Sequence, residues 1–360
     1  MNVRVVDLGS PEAQRAWDTR AVDGPGGDVH QGSAWLAYRE SLGREAVALE
    51  IDGAPVGVLV NRAPLIGLPK GHIPRGPLVP WGGTSEVAAP TAARIRSAAT
   101  WLGRELGLVS LDADPWLPAG AECEVALERA GLHATSEIFP SRHTMLLRAT
   151  AEGRRESELL EGIAKSTRQR IALAERSGFV VERVTHLTPS AERAMLWSQV
   201  RLLLEATAQR KSFALGSAEG MTHWWDRLLA TERAELLVVR TDAPGLVAFL
   251  VILRHGERIT TDASGDDAIV RKERPGALAL LRWTAIKIAA DERRLMDLGG
   301  VDVAGHRDIP REGEAMHGLY LHKASFGASW FAMAGAHRIV LRPQGLRVRG
   351  LLGRLRGGVR

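Results

Sequence analysis

The stretch Gly318–Gly327, GLYLHKASFG, decides how the chain is read. It holds Lys323 and the pair Phe326-Gly327, and it follows the longest helical and sheet-like segments of the sequence. Lys-x-x-Phe-Gly is short enough to recur by chance, so its meaning depends on what stands upstream. Lysine is scarce here, with six residues against 41 arginines, which makes a lysine in a patterned stretch informative.

Working outward, a helix is expected from Gly276 to Asp291, leading into RLMDLGGV. Its two glycines, Gly299 and Gly300, would let a neighbouring backbone approach. Before that helix come the alternating runs AELLVVRT, GLVAFLVILRH and ERITTDAS, read as a meander, and helices over residues 189–207 and 218–232. HTMLLRA, the helical ESELLEGIAKSTRQRIALAERSG with its stop at Gly178, and the strand FVVERVT open this module near His143. Roughly the first 140 residues follow a similar plan without sequence repetition. They give a strand over 3–8, a helix over 11–18 opened by Ser10-Pro11, and a second helix led in by Gln31-Gly32-Ser33-Ala34-Trp35. The strands EAVALEI and PVGVLVNRAPL are joined through Asp52-Gly53, a hairpin signal. The block His72–Pro77, with two prolines, is read as excluding a central strand there. An Ala-rich helix over 86–107, the buried strand LGLVSLDA, the helix GAECEVALERAG and the strand HATSEIF complete the module. This doubling predicts an α/β (α+β) chain of two tandem domains with a ligand-binding cleft between them.

Composition agrees with two domains: 360 residues with 45% hydrophobic content can fill one large or two medium cores. The lone Cys123 forbids an intramolecular disulfide and fits a reducing compartment; its Ala-rich helical setting predicts core packing. The start MNVRVVDLGSPEAQRAWD has no apolar run behind a basic segment, and no apolar window approaches the ~18 residues of a membrane helix, so a soluble, cytoplasmic protein is expected. The net charge of +5 is uneven. Residues 315–360 hold Lys323 and seven arginines without an acid, which is +8 and leaves −3 for residues 1–314. Such a tail suits a nucleic-acid backbone or peripheral contact with an anionic membrane, or is a frayed, solubilising terminus.

Several of these stretches resemble one family in order along the chain. Arg168-Gln169-Arg170-Ile171 followed by Ala174-Glu175-Arg176-Ser177-Gly178 resembles the R-R-x-I-x-x-A-E-x-x-G helix of the FemABX aminoacyltransferases. Asp297-Leu298-Gly299-Gly300-Val301 is similar to that family's D-F-G-G-I strand end, and Leu321–Gly327 to its F-K-x-x-F-G signature. Gln31-x-x-x-Trp35 and Pro74-Arg75-Gly76-Pro77 match its first domain. The resemblance implies two acetyltransferase-like (GNAT) domains, the first made of residues 1–142 plus about 325–360 and the second of 143–324. With no heptad-rich insertion, the chain looks like the compact type that lacks a coiled-coil arm. Such members add an amino acid from aminoacyl-tRNA to a stem-peptide amine of a UDP- or lipid-linked peptidoglycan precursor.

Chemistry narrows what that reaction requires. An aminoacyl ester is already activated, so positioning supplies most of the acceleration, and no metal, cofactor or nucleophilic side chain is expected. A cation for the developing oxyanion and a route for the ammonium proton are still needed. The resemblance assigns the catalytic positions to Lys323 and to Asp114; Asp114 would hold the nucleophilic amine, or would cap a turn before Pro115. It assigns substrate binding to Arg210 and Arg39 on a diphosphate, and to Trp35, Phe326 and Gly327. Lys165 and Arg168, with Arg347 and Arg349 of the tail, are candidate tRNA contacts, although Glu161 and Glu175 could pair with the helical ones locally.

The acceptor site departs from the family. Relatives line it with tyrosines, whereas this chain has Tyr38 and Tyr320 and carries Thr261-Asp262-Ala263-Ser264 where an aromatic segment is expected. Trp224-Trp225 or Trp330 could stack a ligand instead, or pack in a core. A small-molecule amine as acceptor therefore stays open. So does a CoA-dependent N-acyltransferase, which would use a Q/R-x-x-G-x-G/A loop at a helix N-terminus; Glu273–Leu278, the nearest stretch, has the wrong first and last residues. A non-catalytic tRNA-binding module is the remaining class, and a monomer is expected.

Overall fold

The computed structural model describes residues 1–62, 68–81, 84–211, 215–240, 245–303 and 307–349. The end of the expected strand PVGVLVNRAPL, Ser212-Phe213 beside Arg210, and the tail arginines Arg354, Arg356 and Arg360 lie outside these residues. The chain forms two compact units, Met1–His143 with Ala332–Arg360, and Thr144–Phe331. In chain order the strands of the first unit are β1 (Val3–Val5), β2 (Glu45–Ile51), β3 (Ala54–Arg62), β4 (Pro69–Ile73), β5 (Ser110–Ala113) and β6 (His133–Ala134). Those of the second are β7 (Thr144–Leu147), β8 (Val180–Val184), β9 (Ala234–Arg240), β10 (Ala248–His255), β11 (Arg258–Asp266), β12 (Leu295–Asp297) and β13 (Ser329–Phe331). A last strand, β14 (His337–Val340), belongs to the first unit.

The first sheet runs β1-β2-β3-β4-β5-β14-β6. Its β2–β3 hairpin turns through Asp52 (φ 46°) and Gly53 (φ 82°), with Ile51 opposite Ala54. Two left-handed residues in a two-residue loop match the twist of the strands they join. β4, a central strand between β3 and β5, takes in His72 and Ile73 of the proline-bearing block and stops before Pro74 and Pro77. Pro69 is its first residue and Pro74 follows its last, so neither proline removes a hydrogen bond from the middle of the ladder. β4 and β5 are parallel, and the helix Ala88–Glu105 makes the crossover between them. That helix buries Ala92, Ile95, Ala99 and Leu102 at helical spacing against Leu49, Val58 and Leu111 of the sheet. Cys123 packs in the same core.

The second sheet runs β13-β7-β12-β11-β10-β9-β8. Here the parallel pair is β11–β12, and the crossover helix is Ala277–Asp291, apolar on nearly every side and buried accordingly. The β10–β11 register shifts between Val251, opposite Ala263, and Ile252, opposite Thr261. Asp262 is therefore the extra residue of a β-bulge, and its carboxylate accepts a 2.7 Å hydrogen bond from Trp225 Nε1. Trp224 and Trp225 are buried in helix Ala218–Ala230, and Trp225 packs on Trp197 at 6.0 Å, so that pair is structural and not a stacking platform. Because Ser329–Phe331 pairs with β7, the chain stays in the second unit to Phe331, several residues beyond the expected return near 325. HATSEIF is strand only at His133–Ala134. Among the described residues, no helix is long and apolar enough to cross a membrane.

Candidate active site

In the second unit a cavity of about 610 Å³ lies where β11 ends and helix Ala277–Asp291 begins. Arg170, Arg210, Lys211, Arg271 and Arg282 line it, against Asp266 and Asp267. Neither acid balances the cations fully. Asp267 caps the short helix Ala268–Glu273, accepting from the amides of Ile269 and Val270, while Asp266 is shared by Arg210 at 2.7 Å and Arg271 at 3.5 Å. Three buried polar atoms of lining residues, Thr207 Oγ1, Arg210 Nε and Arg282 Nε, have no hydrogen-bond partner among the described residues. Gly276, the N-cap of the long helix, makes no side-chain cap, which leaves the first-turn amides of that helix uncapped by a side chain. Surplus positive charge, unpaired donors and the positive end of a helix together specify an anion site. Gly276 has φ 120°, and a Cβ there would stand 2.7 Å from the carbonyl oxygen of Arg170, so only glycine lets the helix Lys165–Arg176 pack this closely.

The helix His317–Ala324 puts His322 on the cavity wall and buries Lys323. Lys323 Nζ donates to the Gly300 carbonyl at 3.1 Å, and a Cβ on Gly299 (φ 80°) would lie 3.3 Å from it. Gly299 thus admits the lysine head group and also the approach of a backbone expected from the sequence, since the Thr261 carbonyl oxygen would stand 3.5 Å from the same Cβ. Asp297, just before them, accepts from the Gly299 amide at 2.8 Å, from Arg258 at 3.1 Å and from the Thr144 hydroxyl. Burial, reinforced by Arg282 and opposed by Asp297, lowers the Lys323 pKa to about 7. Ammonium and amine therefore coexist near neutrality at this lysine. Burial, with Arg282, Lys323 and Arg170 adding to it, lowers His322 to about 3, so its imidazole is neutral.

The remaining sequence candidates separate by environment. Phe326 is fully buried in the second unit's core and is structural, not substrate-binding; Gly327 (φ 84°) is exposed, and a Cβ there would come 3.0 Å from the Gly162 carbonyl oxygen. Arg168 donates through Nη1 to the carbonyls of Leu160, Glu161 and Ile163 at the end of helix Glu156–Gly162, so it caps that helix. Lys165 is exposed at the start of its helix. Arg347 is exposed, whereas Arg349 is half-buried and donates to the Leu68 carbonyl. Arg210 is on the cavity wall described above.

Trp35, Arg39 and Asp114 belong to the first unit. A cavity of about 440 Å³ there is lined by Trp35, Arg39, Lys70, His72, Asp112 and Phe139, among others. The two first-domain motifs build its wall. The Gln31 side-chain amide accepts from Gly57 N at 2.7 Å and donates to the carbonyls of Gly57 and Pro74, and a Cβ on Gly76 would come within 2.7 Å of it. This pins helix Ser33–Ser41, which carries Trp35 and Arg39, to β3 and to the Pro74–Pro77 block. Arg39 lies 5.2 Å over the Trp35 ring, and its Nε has no hydrogen-bond partner among the described residues. Asp114 does not face the cavity: its carboxylate accepts from the Arg75 amide at 2.6 Å and pairs with the Arg75 guanidinium at 3.3 Å. Burial pushes that carboxyl up to about 7 against the pull of Arg75. The acids on the wall are Glu137 and Asp112, the latter held by Lys70 at 2.8 Å and by Arg338 at 2.7 and 2.9 Å.

Both units have the same build, an antiparallel sheet interrupted by one parallel pair with a helical crossover. Residues 163–308 match the family of the acetyltransferase (GNAT) domain. A crystal structure of FemX aligns over 97% of this chain and 99% of its own, at 15% identity and a TM-score of 0.78. The chain has a tandem GNAT fold of the FemX kind. The FemX-like fold extends, more loosely, to a conserved protein of unknown function from Bacteroides thetaiotaomicron, at 10% identity and TM-score 0.57 over 94% of this chain and 100% of that one. It also extends to L-PGS from Bacillus licheniformis, at 12% identity and TM-score 0.53 over 97% and 98%. No curated protein matches the sequence. Within the FemX-like fold, sequence reading missed Arg282, Thr207 and Asp112. Arg282 had a visible mark, a lone arginine in the apolar run ALALLRWTAIKIAAD.

Proposed function

We propose that the chain is an aminoacyltransferase that moves an aminoacyl group from aminoacyl-tRNA to an amine, with a peptidoglycan-precursor stem peptide as the acceptor. The observation that carries the reading is the cationic cavity of the second unit, with its unpaired donors, one residue along the helix from the buried Lys323. A phosphate-rich donor supplies the counter-charge that the cavity lacks. In the reaction the amine nitrogen bonds to the ester carbonyl carbon, the bond from that carbon to the ribose oxygen breaks, and one proton passes from nitrogen to oxygen. Lys323, titrating near neutrality, is suited to carry it: as ammonium it donates to the leaving oxygen, and as amine it recovers a proton from the attacking nitrogen. The FemX likeness supports the fold on which this rests. Arg39 and Trp35 in the first unit are the proposed acceptor contacts, and Lys165 and Arg347, both exposed, remain proposed contacts for RNA phosphates.

The test is transfer from radiolabelled aminoacyl-tRNAs to UDP-linked and lipid-linked precursors and to small amines, beside a parallel assay with acetyl-CoA. Ribonuclease-sensitive label on a precursor is the expected result. A second reading, a CoA-dependent N-acyltransferase, draws on the position of the cavity at the N-terminus of helix Ala277–Asp291, where a diphosphate would sit equally well. Thioester consumption without RNA-dependent transfer selects it. Silence with every donor refutes both.

A further inference from the structure

Arg282 carries a charge that the fold leaves uncompensated. It lies in the second turn of helix Ala277–Asp291, is 6% exposed, and lines the second unit's cavity. Its hydrogen bond among the described residues is a long one, 3.3 Å from Nη2 to Ser264 Oγ, and its Nε has no partner. Asp266, the acid whose field reaches it, is already bonded to Arg210 and Arg271. An isolated buried cation is costly, and a fold that keeps one keeps a place for an anion. Two neighbours feel this charge, His322 on the same wall and Lys323 beside it in sequence. The other polar groups facing Lys323 are Asp297 at the end of β12, which is itself locked by Arg258, and the carbonyl of Gly300; the Thr261 carbonyl lies by the same Gly299 turn.

We propose that Arg282 binds the anionic group of the acyl donor, a phosphodiester or diphosphate, and that this anion sets the charge of Lys323. With the cavity empty, burial and, after it, the guanidinium field hold Lys323 toward the neutral amine. With an anion on Arg282 the field is cancelled and Lys323 takes up a proton, ready to give it to the leaving oxygen. Donor binding thereby charges the lysine that the donor's own chemistry requires. The inference rests on the donor-binding reading of this cavity, but its test needs no turnover, so a silent transfer assay and a failed titration are separate results.

The scarcity of lysine makes the test direct. Full-length protein labelled with [ε-13C]lysine carries six such side chains, and Lys323→Arg identifies the Lys323 resonance. Its pH titration is recorded with and without inorganic pyrophosphate. The expected result is an upward move of the midpoint, such that the protonated fraction one pH unit above the original midpoint rises about fivefold. Arg282→Gln should raise the midpoint without pyrophosphate and abolish the response to it, and Arg282→Lys should restore both behaviours. Should Arg282→Gln fail to fold, the wild-type titration and Arg282→Lys decide. Coenzyme A and an RNA hairpin ending in CCA then replace pyrophosphate, and the one that moves the resonance names the source of the anion. A Lys323 midpoint unmoved by bound pyrophosphate, or no pyrophosphate binding, overturns the proposal. A response to pyrophosphate and to neither larger ligand overturns the assignment to a donor.

Discussion

Replacing Lys323 with methionine removes a charge while keeping an unbranched chain of similar length, and its effect on stability has a sign fixed by burial. The lysine is lowered from 10.5 to about 7, first by burial and then by Arg282, against the pull of Asp297. The unfolded chain titrates at its ordinary value, so between about 7 and 10.5 the unfolded state binds a proton that the folded state lacks. Stability of the wild type therefore rises with pH across that window, and the penalty for burying the lysine is complete below its lower end. A span from 10.5 to about 7 corresponds to about 5 kcal/mol as an upper bound, at 1.36 kcal/mol per unit. Methionine carries no such penalty and forfeits the hydrogen bond to Gly300, about 1 kcal/mol. Lys323→Met should thus be more stable than wild type by a few kcal/mol at neutral pH, and the advantage should vanish toward the alkaline end. Urea unfolding of both proteins at the two ends of the window, followed by tryptophan fluorescence, measures it. An advantage independent of pH would refute the reasoning, as would a loss of stability at neutral pH. Transfer activity should be abolished in the same variant, so that stability rises as function is lost.

Phe326→Ala should cost about 3–5 kcal/mol of unfolding free energy in denaturant titrations, because the ring fills the core; a raised KM at unchanged stability would return it to the substrate. Arg210→Ala should weaken pyrophosphate binding roughly 10- to 100-fold by calorimetry, the worth of a charge-assisted hydrogen bond, and should flatten its salt dependence. Arg168→Ala should lower stability by about 1–3 kcal/mol in denaturant titrations through its three orphaned carbonyls. Gly299→Ala should cost about 1–2 kcal/mol for its left-handed backbone and should depress transfer more than stability, because the new methyl crowds Lys323 Nζ.

Local chemistry made much of the fold legible, and long-range chemistry hid the rest. Asp52-Gly53 announced a hairpin because two residues with positive φ suffice to make one. Gln31 and the Pro74–Pro77 block were visible as motifs, but their meeting depends on a side chain reaching across 43 residues. β13 and β14 went unread since three or four residues become strand only when a distant partner supplies the ladder. Asp112 and Asp114 differ by two positions and look interchangeable in sequence; Arg75 claims one, and the cavity wall holds the other. Lys323 was found by its scarcity and its motif, whereas its depressed proton affinity needed the burial and the Arg282 charge that only packing brings together.

The place of β14, between β5 and β6, bears on how the molecule is made. A ribosome delivers the first unit with an inner strand missing and cannot supply it until residues 144–331 have been translated. The second unit, continuous in sequence, is free to assemble earlier, while the first waits with the edges of β5 and β6 open and Asp112 without Arg338. Open strand edges invite pairing with other chains. Nascent chains stalled before His337 should accordingly be the aggregating species, with the second unit already protease-resistant inside them.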